Sequence, residues 1–138
     1  MEKKKIYCDT CIYIDYFFDQ TNERGRYVGE EAAVVFTKVL KGLYVLVVSD
    51  FIIEEFKANE TKDEYIQLEK KLGNNIKYIK YTQEDKDKAK KLNLKNWQDT
   101  LHIILAEKAG CRYIITQNLK DFYPIQRQID VILPISLS

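Results

Sequence analysis

Apolar positions along the chain fall into two alternating patterns. Short, dense apolar runs at residues 5–9, 43–48, 76–81, 113–116 and 131–133 predict strands. The run at 43–48 is uninterrupted, which suits a strand buried on both faces. Residues 76–81 alternate Ile and Tyr with lysine, which suits a half-exposed strand. Between these runs the apolar residues take helical spacing. Residues 12–18 are dense enough for a buried helix. Residues 30–40 place Ala32, Val35, Phe36, Val39 and Leu40 on one face, with Gly42 as a C-cap. Ser49 and Asp50 have the chemistry of N-caps for a helix running through Glu55 and Phe56. Residues 62–72, 82–92 and 97–109 predict three more helices, and residues 21–29, polar with two glycines, predict a loop.

Strands that alternate with helices imply an α/β sandwich with a mostly parallel sheet. Ligands of such sheets bind beyond the carboxyl ends of the strands. The residues to inspect are therefore those that follow each strand. At 138 residues, with both prolines near the end and no repeat or linker, residues 1–138 form one domain.

Composition changes this picture little. A hydrophobic fraction of 46% supports a folded core, and a net charge of +1 gives no global field for a polyanion. The charge is uneven, however. Residues 57–95 hold eleven lysines against seven acids, and the first 55 residues hold ten acids against seven basic residues. Three cysteines argue against a disulfide framework, and the start lacks the apolar core of a signal peptide. No stretch is apolar for long enough to span a bilayer. The expectation is a cytoplasmic protein that does not engage a membrane.

Acidic and amide residues recur at the strand ends. Asp9 closes the first strand, and Glu54 and Glu55 lie just past the second. Asp99 opens the helix before the fourth strand, which is followed by Thr116, Asn118 and Asp121. Carboxylates gathered at one edge repel one another unless a cation neutralises them. Oxygen ligands suit Mg²⁺ or Mn²⁺ better than zinc. Such an ion activates water and stabilises charge on a phosphodiester.

The segments Asp9-Thr10, V-S-D-F-I-I-E-E-F, D-T-L-H-I-I-L-A-E-K-A-G and I-I-T-Q-N-L-K-D-F resemble the PIN domain family, which includes the VapC-type toxins. The resemblance runs through nearly the whole chain in the family's order. It implies a three-layer α/β/α fold and a metal-dependent endoribonuclease. It implies that Asp9, Glu55 and Asp99 hold Mg²⁺ or Mn²⁺, with Asp121 or Asn118 completing the site. The residue two after Thr116 is Asn118 rather than Asp, which leaves a second metal ion open. Thr116 and Thr10 are supporting residues. The resemblance also implies a homodimer, an RNA substrate and a small antitoxin partner.

Each candidate has an ordinary structural alternative. Asp9 has the position of a cap for a helix starting at Thr10, and Asp99 that of a first-turn acid favoured by the helix dipole. His102, the only histidine, lies three residues after Asp99 on the same helical face. It either orients a site residue or contacts substrate or, as the favoured reading, is a partly buried helix histidine, and it is not assigned as a general base. Cys8 and Cys11 form a C-x-x-C element, but the chain offers only distant Cys111 and His102 as further soft ligands. Tyr7, Tyr13, Tyr16, Tyr78 and Tyr81 either stack on unpaired bases or pack between helix and sheet. Lys88, Lys90 and Lys91 are candidate phosphate contacts. Besides the toxin nuclease, two readings stay open: an RNA-processing nuclease, and a PIN-fold RNA-binding or assembly module without strong catalysis. A phospho-acceptor domain is disfavoured, because no lysine follows the last strand.

Overall fold

A computed structural model describes residues 3–122 and 129–138. The strands are β1 (Lys4–Cys8), β2 (Tyr44–Ser49), β3 (Ile76–Ile79), β4 (Tyr113–Ile115) and β5 (Asp130–Ile132). All five join one sheet in the order β3-β2-β1-β4-β5, and every pairing is parallel. The helices are α1 (Thr10–Phe17), α2 (Val28–Leu40), α3 (Asp50–Ala58), α4 (Lys62–Leu72), α5 (Gln83–Leu92), α6 (Trp97–Lys108) and α7 (Leu119–Phe122). Among the described residues, no helix is long and apolar enough to cross a membrane.

Strand alternation divides the core into two layers. Ile6, Cys8, Leu46, Val48 and Ile115 face α1, α2 and α4. Tyr7, Val47 and Ile114 face the other way, against Leu101, Leu105 and Ala106 of α6, Ala89 of α5 and Phe122 of α7. Helix α3 serves both layers, with Ile52 and Phe56 on one side and Phe51 on the other. The result is a three-layer α/β/α sandwich.

The chain departs from the sequence expectation at Gly29. Expected in a loop, it lies in the first turn of α2, which begins at Val28. A Cβ there would stand 2.7 Å from the Asp19 and Gln20 backbone. Gly29 N–H also donates to Gln20 O at 2.9 Å. The glycine therefore permits a close backbone approach rather than breaking a helix. The short helix α7 is a second addition, in a segment too brief to show a helical period.

The sheet order places β1 at the centre, with β2 on one side and β4 on the other. The connection from β1 leads to one side and the later strands fill the other. The switch point thus lies between β1 and β4, where their register pairs Cys8 with Ile115. The next residues, Asp9 and Thr116, meet at the crevice.

Candidate active site

Asp9 stands at the N-cap of α1 with extended backbone, yet its carboxylate makes no capping hydrogen bond. Its Oδ2 instead accepts from Thr116 Oγ1 at 2.8 Å and from Cys11 Sγ at 3.2 Å. Ser49 and Thr82, by contrast, cap α3 and α5 with their side-chain oxygens. Asp9 is only 7% exposed and does not serve its own helix. Capping therefore does not account for it.

Glu55 occupies the second turn of α3. Its Oε1 accepts from Thr10 Oγ1 and from His102 Nε2, each at 2.7 Å. Burial opposes its charge, but the His102 hydrogen bond and charge, together with Thr10, hold its pKa below the usual value. Glu54 is exposed and accepts from the Tyr81 hydroxyl at 3.1 Å. Of the adjacent glutamates, only Glu55 faces the crevice.

Asp99 sits in the first turn of α6, half-buried, and its carboxylate makes no hydrogen bond among the described residues. Burial, then the charge of Asp9, push its pKa up to about 6; Asp121 and Glu55 add to this and His102 opposes it. Asp121, exposed on α7, is thus close enough for its charge to act on Asp99. Asn118 is also exposed, and its backbone N–H donates to Thr116 Oγ1 at 2.9 Å.

The structure therefore places Asp9, Thr10, Glu55, Asp99 and Thr116 around one edge of the sheet, with Asn118 and Asp121 on its rim. Among the described residues, no three His, Cys, Asp or Glu side chains already converge as a ligand set. The described acids act on one another through their charges without closing a coordination shell. Lys88, Lys90 and Lys91 lie apart on α5, where Lys88 and Lys91 are exposed and Lys90 Nζ sits 4.9 Å from the Trp97 ring centroid.

The donor chemistry fits a hard cation. Burial pushes the Cys8 and Cys11 thiols well above their usual pKa, with the charge of Asp9 adding to it, so neither is a ready thiolate. His102 has both ring nitrogens engaged, Nε2 by Glu55 and Nδ1 by the Tyr7 hydroxyl at 2.6 Å. What remains is oxygen: Asp9 Oδ1, Glu55 Oε2 and the Asp99 carboxylate. Oxygen sets of this kind suit Mg²⁺ or Mn²⁺.

A cleft of about 560 Å³ adjoins this edge, lined by Cys11, Asp15, Arg24, Arg26, Gln117 and Asn118 among others. Asp15, at its wall, has its pKa pushed up to about 6 by burial, then by Asp9 and Glu31.

Sequence reasoning missed Tyr7, Ser49 and His102 as a group. His102 is 1% exposed, not partly buried, and it bonds directly to Glu55. The available signal was the alternation of β1, which turns Tyr7 away from Ile6 and Cys8 toward α6. Tyr7 and Tyr13 are fully buried and cannot stack on a base, and Tyr16 packs on Phe36 with ring centroids 5.0 Å apart. Of the five tyrosines considered, Tyr78 is the one left largely exposed, at 59%.

An acidic edge at the β1–β4 switch point is thus joined to the motif order along the chain. The sequence profile of the PIN domain matches residues 5–120. The chain belongs to the PIN domain family. Its PIN fold is also that of a chain in the crystal structure of VapBC2 from Rickettsia felis bound to a DNA fragment from its promoter. The two align with a TM-score of 0.60 at 13% identity, over 94% of this chain and 98% of that one. At that identity the likeness speaks for the PIN fold alone. No match is found among curated protein sequences.

Proposed function

We propose that this PIN domain is a Mg²⁺- or Mn²⁺-dependent endoribonuclease acting as the toxin of a toxin–antitoxin pair. The observation that carries the reading is the acid edge itself. Asp99 is half-buried and without a hydrogen-bond partner among the described residues, and burial first, then the charges of Asp9, Asp121 and Glu55, push its pKa to about 6. Such crowding is a standing electrostatic cost that a divalent cation relieves.

Asp9, Glu55 and Asp99 would hold the ion, with Asp121 or Asn118 at the rim. When bound, a divalent ion supplies activation of water and neutralisation of charge on the scissile phosphate. The chain's own residues prepare for this. Thr116 and Cys11 fix one oxygen of Asp9, and Thr10 and His102 fix one oxygen of Glu55. In each carboxylate the second oxygen stays uncommitted. The adjoining cleft offers Arg24 to the RNA backbone and the amide of Asn118 to a base edge, while Arg26 and the Gln117 amide are held by Glu31. A small antitoxin partner belongs to the same proposal, by analogy with the Rickettsia felis chain, which is part of a VapBC2 complex.

One observation favours a second reading, an RNA-binding module without catalysis. The position two residues after Thr116 carries the amide of Asn118 rather than a carboxylate. Cleavage of a labelled single-stranded RNA with Mn²⁺, with Mg²⁺ and with EDTA decides between them, with Asp99→Asn as the control for contaminating nuclease. Metal-dependent cleavage lost in Asp99→Asn supports the nuclease. RNA binding by a protein that neither cleaves nor binds Mn²⁺ supports the module.

A further inference from the structure

A chain of polar side chains crosses the core behind Glu55. Ser49, at the end of β2, accepts from Ile52 N–H at 3.1 Å. Its hydroxyl lies 2.7 Å from the hydroxyl of Tyr7 in β1. Tyr7 lies 2.6 Å from His102 Nδ1, and His102 Nε2 lies 2.7 Å from Glu55 Oε1. Ser49 and Tyr7 are fully buried and His102 is 1% exposed. The His102 ring is also wedged between Tyr7 and Phe51, with centroids 5.5 and 5.1 Å away.

Burying three polar side chains in an apolar layer is unfavourable unless each is bonded. Here each one is, and the chain of bonds ends on a carboxylate at the crevice. A carboxylate only accepts, so His102 Nε2 carries a proton whether the ring is neutral or charged. The bond to Tyr7 and the two flanking rings fix the ring plane. Together with Thr10 on the other flank, this leaves the Glu55 carboxylate one orientation, with Oε2 uncommitted.

We propose that His102, held in place by Tyr7 and Ser49, is the positioning residue that presents Glu55 to a divalent cation. The proposal rests on Glu55 being a ligand in the reading above. It gives the only histidine a role through Glu55 rather than through the substrate.

The test is Mn²⁺ affinity measured by calorimetry and electron paramagnetic resonance, together with the ¹⁵N shifts of the single histidine. The proteins compared are wild type, Tyr7→Phe, His102→Leu and His102→Gln. Partners that orient metal-ligating groups are worth about 10–100-fold in metal affinity. The expected result is Mn²⁺ binding by wild type, weakened about tenfold or more in His102→Leu. His102→Gln, whose amide still donates to Glu55, regains most of the affinity. Tyr7→Phe, which deletes one buried oxygen, weakens Mn²⁺ binding several-fold and moves the His102 ¹⁵N shifts. If His102→Leu does not fold, Tyr7→Phe and His102→Gln decide. Wild-type affinity in Tyr7→Phe and His102→Leu overturns the proposal while leaving the metal site standing. A wild-type protein that binds no Mn²⁺ overturns the metal reading and this role with it.

Discussion

Thr116 Oγ1 lies 2.8 Å from Asp9 Oδ2, although 107 positions separate the two residues. They meet because β1 and β4 run parallel in register and each residue is the next one past its strand. The same Thr116 oxygen accepts from Asn118 N–H, so it braces both Asp9 and the turn that leads to Asp121. Thr116→Val keeps the shape and removes both bonds. Loss of a buried partner costs about 1–3 kcal/mol. Urea unfolding is expected to show a drop of that size for Thr116→Val, with Thr116→Ser near wild type, and Mn²⁺ binding weakened in the valine variant.

Asp99 and Asp15 predict an unusual pH profile for the metal-free protein. Both have folded pKa values of about 6, raised from 3.8, chiefly by burial. The folded state therefore binds protons more tightly than the unfolded chain, and stability falls as pH rises from about 4 to about 6. Glu55 overlaps only the lower end of that window and opposes the fall there, and His102 acts above it. The lowered Glu55 pKa gives stability that is lost as pH falls below the ordinary 4.5. The raised His102 pKa gives stability that is present below 6.5 and lost as pH rises through its higher folded value. Urea midpoints in EDTA across pH 4–7 should show the fall. Asp99→Asn should reduce it to the part due to Asp15 and stabilise the protein at pH 7 by about 1 kcal/mol, a figure discounted for the solvent screening of a half-exposed group. Saturating Mg²⁺ should remove the Asp99 part of it in wild type.

Gly29→Ala tests the close approach at the start of α2. The added carbon would stand 2.7 Å from the backbone of Asp19 and Gln20, where no flexible side chain can give way. A loss of about 1–3 kcal/mol is expected, as for other overpacked sites. Because Gln20 also lines the cleft, the displaced segment should alter RNA affinity as well. Chemical denaturation and a binding titration check the two effects.

The lysines of α5 differ among themselves. Lys88 and Lys91 are exposed, whereas Lys90 and Lys86 lie over the Trp97 ring, two residues before Asp99. If the patch meets RNA phosphates, Lys88→Ala with Lys91→Ala lowers the slope of log affinity against log salt by about 1.4, from about 0.7 per contact to single strands. Lys90→Ala should in addition change the emission of Trp97, the only tryptophan. An unchanged slope places the RNA elsewhere.

Strand and helix order were legible in the sequence because they rest on local periodicity, whereas the choice of Glu55 over Glu54 came from the resemblance to the PIN family. Neighbouring side chains on a helix face different ways, and Phe56 had to point into the core. The loop ending at Gly29 was misjudged because glycine is a poor helix former in isolation, and only the tertiary approach of Asp19 explains its use. The Ser49–Tyr7–His102 chain was invisible for a related reason. Its three members lie in three elements, and nothing in their spacing announces that they touch. The freedom of Asp9 from its capping duty also needed coordinates, since sequence places it where a cap belongs.

The central place of β1 also bears on how the chain comes together during synthesis. Ile6 pairs with Leu46 on one side and with Tyr113 on the other. The β3-β2-β1 half of the sheet can close while the remainder is still on the ribosome. Until residue 113 emerges, the second edge of β1 is a row of unpaired amides and carbonyls, the kind of edge that recruits other strands. Asp9 and Glu55 are synthesised well before Asp99 and Thr116. The nascent chain is thus adhesive before its acidic edge is complete.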